Sequence, residues 1–112
     1  MGESLFVYGT LRDDEVVRGV TGRTFPKVGG TLEDYGRREG PPEFPYFYAV
    51  PSPGASIEGV VITGLDPEAL GRLDAYEGRC FTREGVRVKT AGGLREAWVY
   101  VGLPDEIERM RR

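Results

Sequence analysis

The sequence contains no histidine and a single cysteine, Cys80, among its 112 residues. Without histidine, neither a Ser-His-Asp triad nor a Cys-His pair can form, and zinc sites built on histidine are excluded. One cysteine cannot form a disulfide within the chain. If the protein is an enzyme, its proton transfer must come from aspartate, glutamate, tyrosine, lysine or the one thiol.

Positive charge and long apolar runs are also scarce. The formal net charge is −3, and the basic residues are scattered, whereas a nucleic-acid surface needs them clustered. No apolar run approaches the roughly 20 residues of a membrane-spanning helix, and Met1–Ser4 lacks the pattern of a signal peptide. We therefore expect a cytoplasmic protein with no nucleic-acid or membrane partner. A metal site built only from carboxylates stays open, although no calcium-loop spacing occurs.

The elements that can be predicted are mostly strands, and helices do not alternate with them. Helices are predicted over Glu15–Val20, from Asp66 to about Tyr76 and from Pro104, and strands over Leu5–Tyr8, Gly29–Gly36, Tyr46–Val50, Ile57–Thr63, Phe81–Lys89 and Glu96–Val101. Pro51–Gly54 has the composition of a turn between two strands. This order predicts one α+β domain over residues 1–112, a twisted mixed sheet or small barrel with two or three peripheral helices.

One carboxylate is predicted on the buried side of the helix that starts at Asp66. Leu70 and Leu73 define the apolar stripe, and Glu77 falls between them at about 100° per residue. Burial and the C-terminal end of the helix dipole would both raise the pKa of Glu77 towards the range of a general base. The alternative is that the helix has ended and Glu77 turns into water beside Gly78.

The first predicted strand ends in the segment Tyr8-Gly9-Thr10-Leu11-Arg12. Glycine permits a tight turn, and successive amides at such a turn can hold a carboxylate or an oxyanion. The alternative is an ordinary turn after a strand. Together with an inward glutamate, the turn suggests a substrate that carries both a carboxylate and a removable proton.

Two motifs in this order, Tyr8-Gly9-Thr10-Leu11-Arg12 and Leu73-Asp74-Ala75-Tyr76-Glu77-Gly78, resemble those of the γ-glutamylcyclotransferase-like superfamily. That superfamily includes γ-glutamylamine cyclotransferases and the plant avirulence-induced proteins. The late segments Phe81–Val88 and Ala97–Val101 are similar to its closing strands, so the resemblance extends over about residues 5–101.

The resemblance implies a small mixed β-barrel with a pocket at its mouth. Tyr8, Gly9, Thr10 and Leu11 would bind the γ-glutamyl group, largely through backbone amides, and Glu77 would be the catalytic acid and base. The implied reaction is intramolecular aminolysis of a γ-glutamyl amine or peptide to 5-oxoproline and a free amine, without metal or organic cofactor. The alternative is a non-catalytic module that binds a γ-glutamyl or other carboxylate metabolite on the same fold.

Three further positions matter to this resemblance. Tyr100 matches an aromatic of the last strand, and pocket lining and core packing both stay open for it. Phe81 stands where the family often has tyrosine, so leaving-group recognition could differ. Arg12 matches the first motif, with a structural role and a substrate contact both open.

A protein-interaction domain is the third function class. It would use exposed aromatic side chains, and Tyr46, Phe47 and Tyr48 are the candidates. We instead expect these three side chains to pack within the sheet, which disfavours such a surface.

Overall fold

The computed structural model describes residues 2–44 and 46–111, so Met1, Pro45 and Arg112 of the predicted domain lie outside the description. The elements, in chain order, are β1 (Glu3–Val7), a 3₁₀ turn (Thr10–Arg12), α1 (Asp14–Thr21), β2 (Lys27–Glu39), β3 (Phe47–Leu65), α2 (Pro67–Glu77), a second 3₁₀ turn (Gly78–Cys80), β4 (Phe81–Thr90), β5 (Gly93–Gly102) and α3 (Pro104–Glu108). The predicted α+β class, with strands in the majority and helices at the periphery, is confirmed.

The five strands pair in the order β1–β3–β2–β4–β5 and close on themselves as a small barrel. Most pairs are antiparallel, but β1 runs parallel to β5, with Leu5 opposite Trp98. A second parallel contact joins β3 to β5 at Ala49 and Val101. The sheet is therefore mixed, and its seam lies where the first, third and fifth strands meet.

The predicted turn at Pro51–Gly54 is wrong, because β3 continues through it as one long strand. Between the pairs Tyr35–Pro51 and Glu33–Ser56, β3 takes five steps while β2 takes two, so β3 bulges outward there. The bulge is held by Asp34, whose Oδ1 accepts a hydrogen bond of 3.0 Å from the Gly54 N–H. Proline and glycine at this position therefore bend a strand that they were expected to end.

Strand β1 is buried on both of its faces. Leu5 and Val7 pack against the helices, in a cluster that includes Leu73 of α2, while Phe6 points into the ring of strands with Val61. All three β1 side chains are at most 3% exposed. The end of β1 lies near the end of α2, since the hydroxyls of Thr10 and Tyr76 are 3.4 Å apart.

Helix α2 begins and ends where the sequence predicts. Oδ1 of Asp66 accepts a hydrogen bond of 2.8 Å from the Ala69 N–H, and Pro67 occupies the first turn. At the other end Gly78 takes a φ of 77°, and its N–H donates to the Asp74 carbonyl. Glu77 is thus the last helical residue. No helix in the described part of the chain combines the length and apolar character needed to cross a membrane.

Candidate active site

An open cavity of about 1020 Å³ lies between the end of β1, the C-terminal end of α2 and the start of β3. Ligand pockets in proteins usually measure roughly 300–1,000 Å³, so this one has room for a substrate of moderate size. All six residues predicted to form the site line it, namely Tyr8, Gly9, Thr10, Leu11, Glu77 and Tyr100. The fold therefore brings both motifs to one space.

Glu77 points to the buried side of its helix, as the spacing from Leu73 predicts. Its side chain is half-buried, and its carboxylate accepts no hydrogen bond from the described residues. Desolvation by burial raises the pKa of Glu77 to about 7. A carboxyl group with that pKa exchanges a proton readily near neutral pH, which suits an acid and base.

The segment Gly9–Leu11 forms a tight turn with free backbone donors. Its own hydrogen bonds run from the Arg12 N–H to the Gly9 carbonyl, at 3.1 Å, and from the Asp13 N–H to the Thr10 carbonyl, at 3.0 Å. The N–H groups of Thr10 and Leu11 have no acceptor among residues 2–44 and 46–111, and both residues line the cavity. They are therefore available to an anionic or carbonyl oxygen.

Two side chains fix this turn in place. Leu11 is 3% exposed and anchors it in the core cluster beneath. The guanidinium of Arg12 folds back, and its Nε donates to the Gly9 carbonyl at 3.2 Å. Arg12 therefore stabilises the turn itself, although it also borders the cavity.

The Tyr8 hydroxyl joins the three strands at the seam of the sheet. It donates to the Tyr100 carbonyl of β5 at 2.9 Å and accepts from the Ala49 N–H of β3 at 2.9 Å. Burial raises the pKa of Tyr8 to about 12, so the phenol stays neutral and keeps both bonds. Tyr8 thus lines the cavity with its ring while its hydroxyl is used structurally, a role that the sequence did not reveal.

Tyr8→Phe is expected to lower the free energy of unfolding by about 1–3 kcal/mol, because it leaves the Ala49 N–H and the Tyr100 carbonyl unpaired in a partly buried place. Tyr35→Phe is the matched control, since that hydroxyl is exposed and 3.5 Å from Glu84. Urea denaturation of both variants measures the difference. Equal stability of the two variants would mean that the Tyr8 hydroxyl does not hold the seam.

Tyr100 belongs to both the cavity and a polar network, so the two roles left open by the sequence coexist. The side chain is 5% exposed, and its hydroxyl donates to Oδ1 of Asp74 at 2.6 Å. Asp74 also accepts two hydrogen bonds from Arg83, at 3.0 and 3.2 Å, and Arg83 lies 4.5 Å from the ring centre of Trp98. Because the Tyr100 hydroxyl donates its hydrogen bond to Asp74, it does not donate one to Glu77.

The electrostatics place Glu77 close to both tyrosines. Its negative charge contributes to the raised pKa of Tyr8, after burial, and to that of Tyr100, after burial and the bond to Asp74. Both phenols therefore stay protonated around the carboxylate. No three histidine, cysteine, aspartate or glutamate side chains gather at a possible metal site in the described parts of the chain.

Further aromatic residues line the mouth of the cavity, among them Tyr46 and Phe47, which the sequence did not place in the site. Tyr46 and Phe47 are 57% and 54% exposed, so the expectation that they pack within the sheet is wrong for these two, while Tyr48 is 2% exposed. Phe81, at the position where the family often has tyrosine, lines the same cavity and lies 6.0 Å from the Phe44 ring.

A small closed sheet, a turn with free amides and a half-buried carboxylate that has no hydrogen-bond partner among the described residues thus meet at one cavity. The chain belongs to the family described as "Gamma-glutamyl cyclotransferase, AIG2-like", which matches residues 5–112. The superfamily indicated by the two motifs is therefore confirmed.

Individual relatives agree with this assignment. AIG2-like protein D of Arabidopsis thaliana is 33% identical over 85 residues, covering 76% of this chain; the chain spans only 55% of that relative's length. A solution structure of another Arabidopsis thaliana protein superposes with a TM-score of 0.85 at 27% identity, covering 100% of this chain and 68% of that one. A structure of a protein named γ-glutamyl cyclotransferase has the same fold, with a TM-score of 0.78 at 20% identity over 92% of this chain and 68% of its own.

Proposed function

We propose that the protein is a γ-glutamyl cyclotransferase, which converts a γ-glutamyl amine or peptide to 5-oxoproline and a free amine. The observation that carries the proposal is the half-buried carboxylate of Glu77 in the same cavity as the N–H groups of Thr10 and Leu11, all three without a hydrogen-bond partner in the described part of the chain. Membership of the family supports the same reaction.

In this reaction Glu77 moves one proton in each direction. Its carboxylate takes a proton from the α-amino nitrogen of the substrate as that nitrogen attacks the γ-carbonyl carbon. A carbon–nitrogen bond forms, closing a five-membered ring, and the carbonyl oxygen becomes an oxyanion. Glu77 then gives the proton to the departing nitrogen as the original amide bond breaks. No water is consumed, so the atoms of the substrate are divided completely between the two products.

The backbone amides of the turn have the complementary role. The N–H groups of Thr10 and Leu11 are the donors for the α-carboxylate of the substrate and for the developing oxyanion. Since nucleophile and electrophile belong to one molecule, most of the acceleration comes from holding that molecule folded and from proton transfer. Tyr8 and Tyr100 form the walls, and their hydroxyls remain bonded to the protein.

The test is release of 5-oxoproline from L-γ-glutamyl-L-alanine, measured by chromatography against the same compound acetylated on its α-amino nitrogen. We expect turnover of the free compound only, because acetylation removes the nucleophile. Turnover of both would indicate hydrolysis by water. Binding of the free compound in calorimetry without turnover would indicate the non-catalytic binding module.

A further inference from the structure

Arg37 lies inside the mouth of the cavity because of its register in the sheet. It stands opposite Ala49 in the β2–β3 pairing, and Ala49 is fully buried. Directly paired residues share a face of an antiparallel sheet, so Arg37 is on the face that looks into the ring. Phe47, two residues before Ala49, is on the same face, and both Arg37 and Phe47 line the cavity.

The guanidinium of Arg37 is oriented but not neutralised. It lies 5.5 Å from the ring centre of Phe47, a cation–π contact that restricts its position. Within residues 2–44 and 46–111, no carboxylate forms an ion pair with it. By contrast, Arg83 and Arg23, which also stack on aromatic rings, are paired with Asp74 and Asp66.

The cavity also extends beyond what the γ-glutamyl group requires. Glu77 and the turn lie at the α2 side, whereas the exposed rings of Tyr46 and Phe47 lie at the β3 side. A second depression of about 220 Å³ shares Tyr46 and Phe47 as walls, so the open space continues past the mouth. A substrate whose γ-glutamyl end is held by the turn would have room for its other end on the β3 side of the cavity, where Arg37 lies.

We propose that Arg37 and Phe47 form the subsite for the leaving group, and that this subsite accepts an amine bearing a carboxylate. This inference rests on the proposed cyclotransferase function and names the substrate class: γ-glutamyl amino acids or peptides, in preference to γ-glutamyl alkylamines. A guanidinium offers a fork of N–H donors that matches a carboxylate, and the aromatic ring beneath it packs on the carbon skeleton of the leaving group.

Two substrates that differ only by the carboxylate test the proposal. L-γ-glutamyl-L-alanine and L-γ-glutamylethylamine have the same γ-glutamyl group and almost the same leaving-group skeleton. We expect kcat/KM to favour the alanine compound by ten-fold or more, and Arg37→Met to reduce that ratio by ten-fold or more. Arg38→Met is the control. This substitution removes the same charge from the next residue of β2, and Arg38 does not line the cavity. It is expected to leave the ratio unchanged.

Binding measurements separate this proposal from the proposed function. Calorimetric titration of both compounds into Glu77→Gln, with and without Arg37→Met, reports discrimination even when no turnover occurs. Preference for the alanine compound that disappears with Arg37→Met supports the subsite, whether or not the protein is catalytic. Equal affinity for the two compounds, or a preference for the alanine compound that persists in the Arg37→Met variant, would overturn the proposed subsite.

Discussion

Glu77→Gln is expected to lower kcat for 5-oxoproline release by at least 10²–10⁴-fold, the usual contribution of a positioned acid–base group. Glutamine has nearly the same shape but can neither take nor return the proton. The carboxylate makes no hydrogen bond within the described residues, so the substitution removes no structural contact. Steady-state kinetics with L-γ-glutamyl-L-alanine measure the loss.

The same substitution is expected to stabilise the fold at alkaline pH. Burial raises the pKa of Glu77 from 4.5 to about 7, so the folded protein holds this proton more tightly than the unfolded chain. Stability therefore falls as pH rises from about 4.5 to 7 and stays low above pH 7. Because each pKa unit is worth about 1.4 kcal/mol, the rise from 4.5 to about 7 should make Glu77→Gln more stable than the wild type by about 3.5 kcal/mol at pH 8 and nearly equal to it at pH 4.5.

A matched substitution at an exposed glutamate shows whether the effects of Glu77→Gln are specific to Glu77. Glu96→Gln removes an exposed glutamate of β5 that does not line the cavity, and should alter neither turnover nor its pH dependence. Urea denaturation at the two pH values, together with kinetics, covers both variants. Full turnover by Glu77→Gln would refute its catalytic role, and a loss of stability at pH 8 would refute the effect of burial.

Gly59→Ala is expected to destabilise the fold by roughly 3 kcal/mol, at the upper end of what overpacking costs. A methyl group there would collide with the Val7 carbonyl and would come within 2.8 Å of the Phe6 ring, both of which are buried. Neither backbone nor a fully buried ring can yield cheaply, so β1 must shift. Since Val7 precedes the Tyr8 turn, substrate affinity should fall as well.

Gly29→Ala is the control for this effect. Gly29 lies in β2, across the sheet, and a methyl group there meets no atom within 4 Å. We expect its stability to remain within about 0.5 kcal/mol of the wild type. Urea denaturation of both variants decides the comparison. Similar unfolding midpoints would mean that β1 is not packed tightly against β3 at this position.

Local signals in the sequence predicted helix α2 and the direction of Glu77 correctly. The cap at Asp66, the leucine spacing and the glycine after the helix all act within a few residues, so periodicity suffices to read them. The turn after β1 was predictable for the same reason. That Glu77 and this turn share one cavity depends on tertiary packing, and only the family resemblance indicated it.

The features that the sequence did not reveal depend on partners distant in the chain. The bulge at Pro51–Gly54 is held by Asp34 of β2, whose carboxylate accepts a hydrogen bond from the Gly54 N–H. The Tyr8 hydroxyl finds its two partners 41 and 92 residues away. Arg37 faces the cavity because of its register against Ala49, and one step of slip would turn it outward.

The identity and isotopic content of the product test the proposed reaction most directly. L-γ-glutamyl-L-alanine, labelled with ¹³C in the glutamyl group, is incubated with the protein in H₂¹⁸O and followed by ¹³C NMR and mass spectrometry. We expect 5-oxoproline free of ¹⁸O and one equivalent of alanine, formed by the wild type and not by Glu77→Gln. Glutamate carrying ¹⁸O, or substrate that binds and is recovered unchanged, would contradict intramolecular cyclisation with Glu77 as the proton carrier.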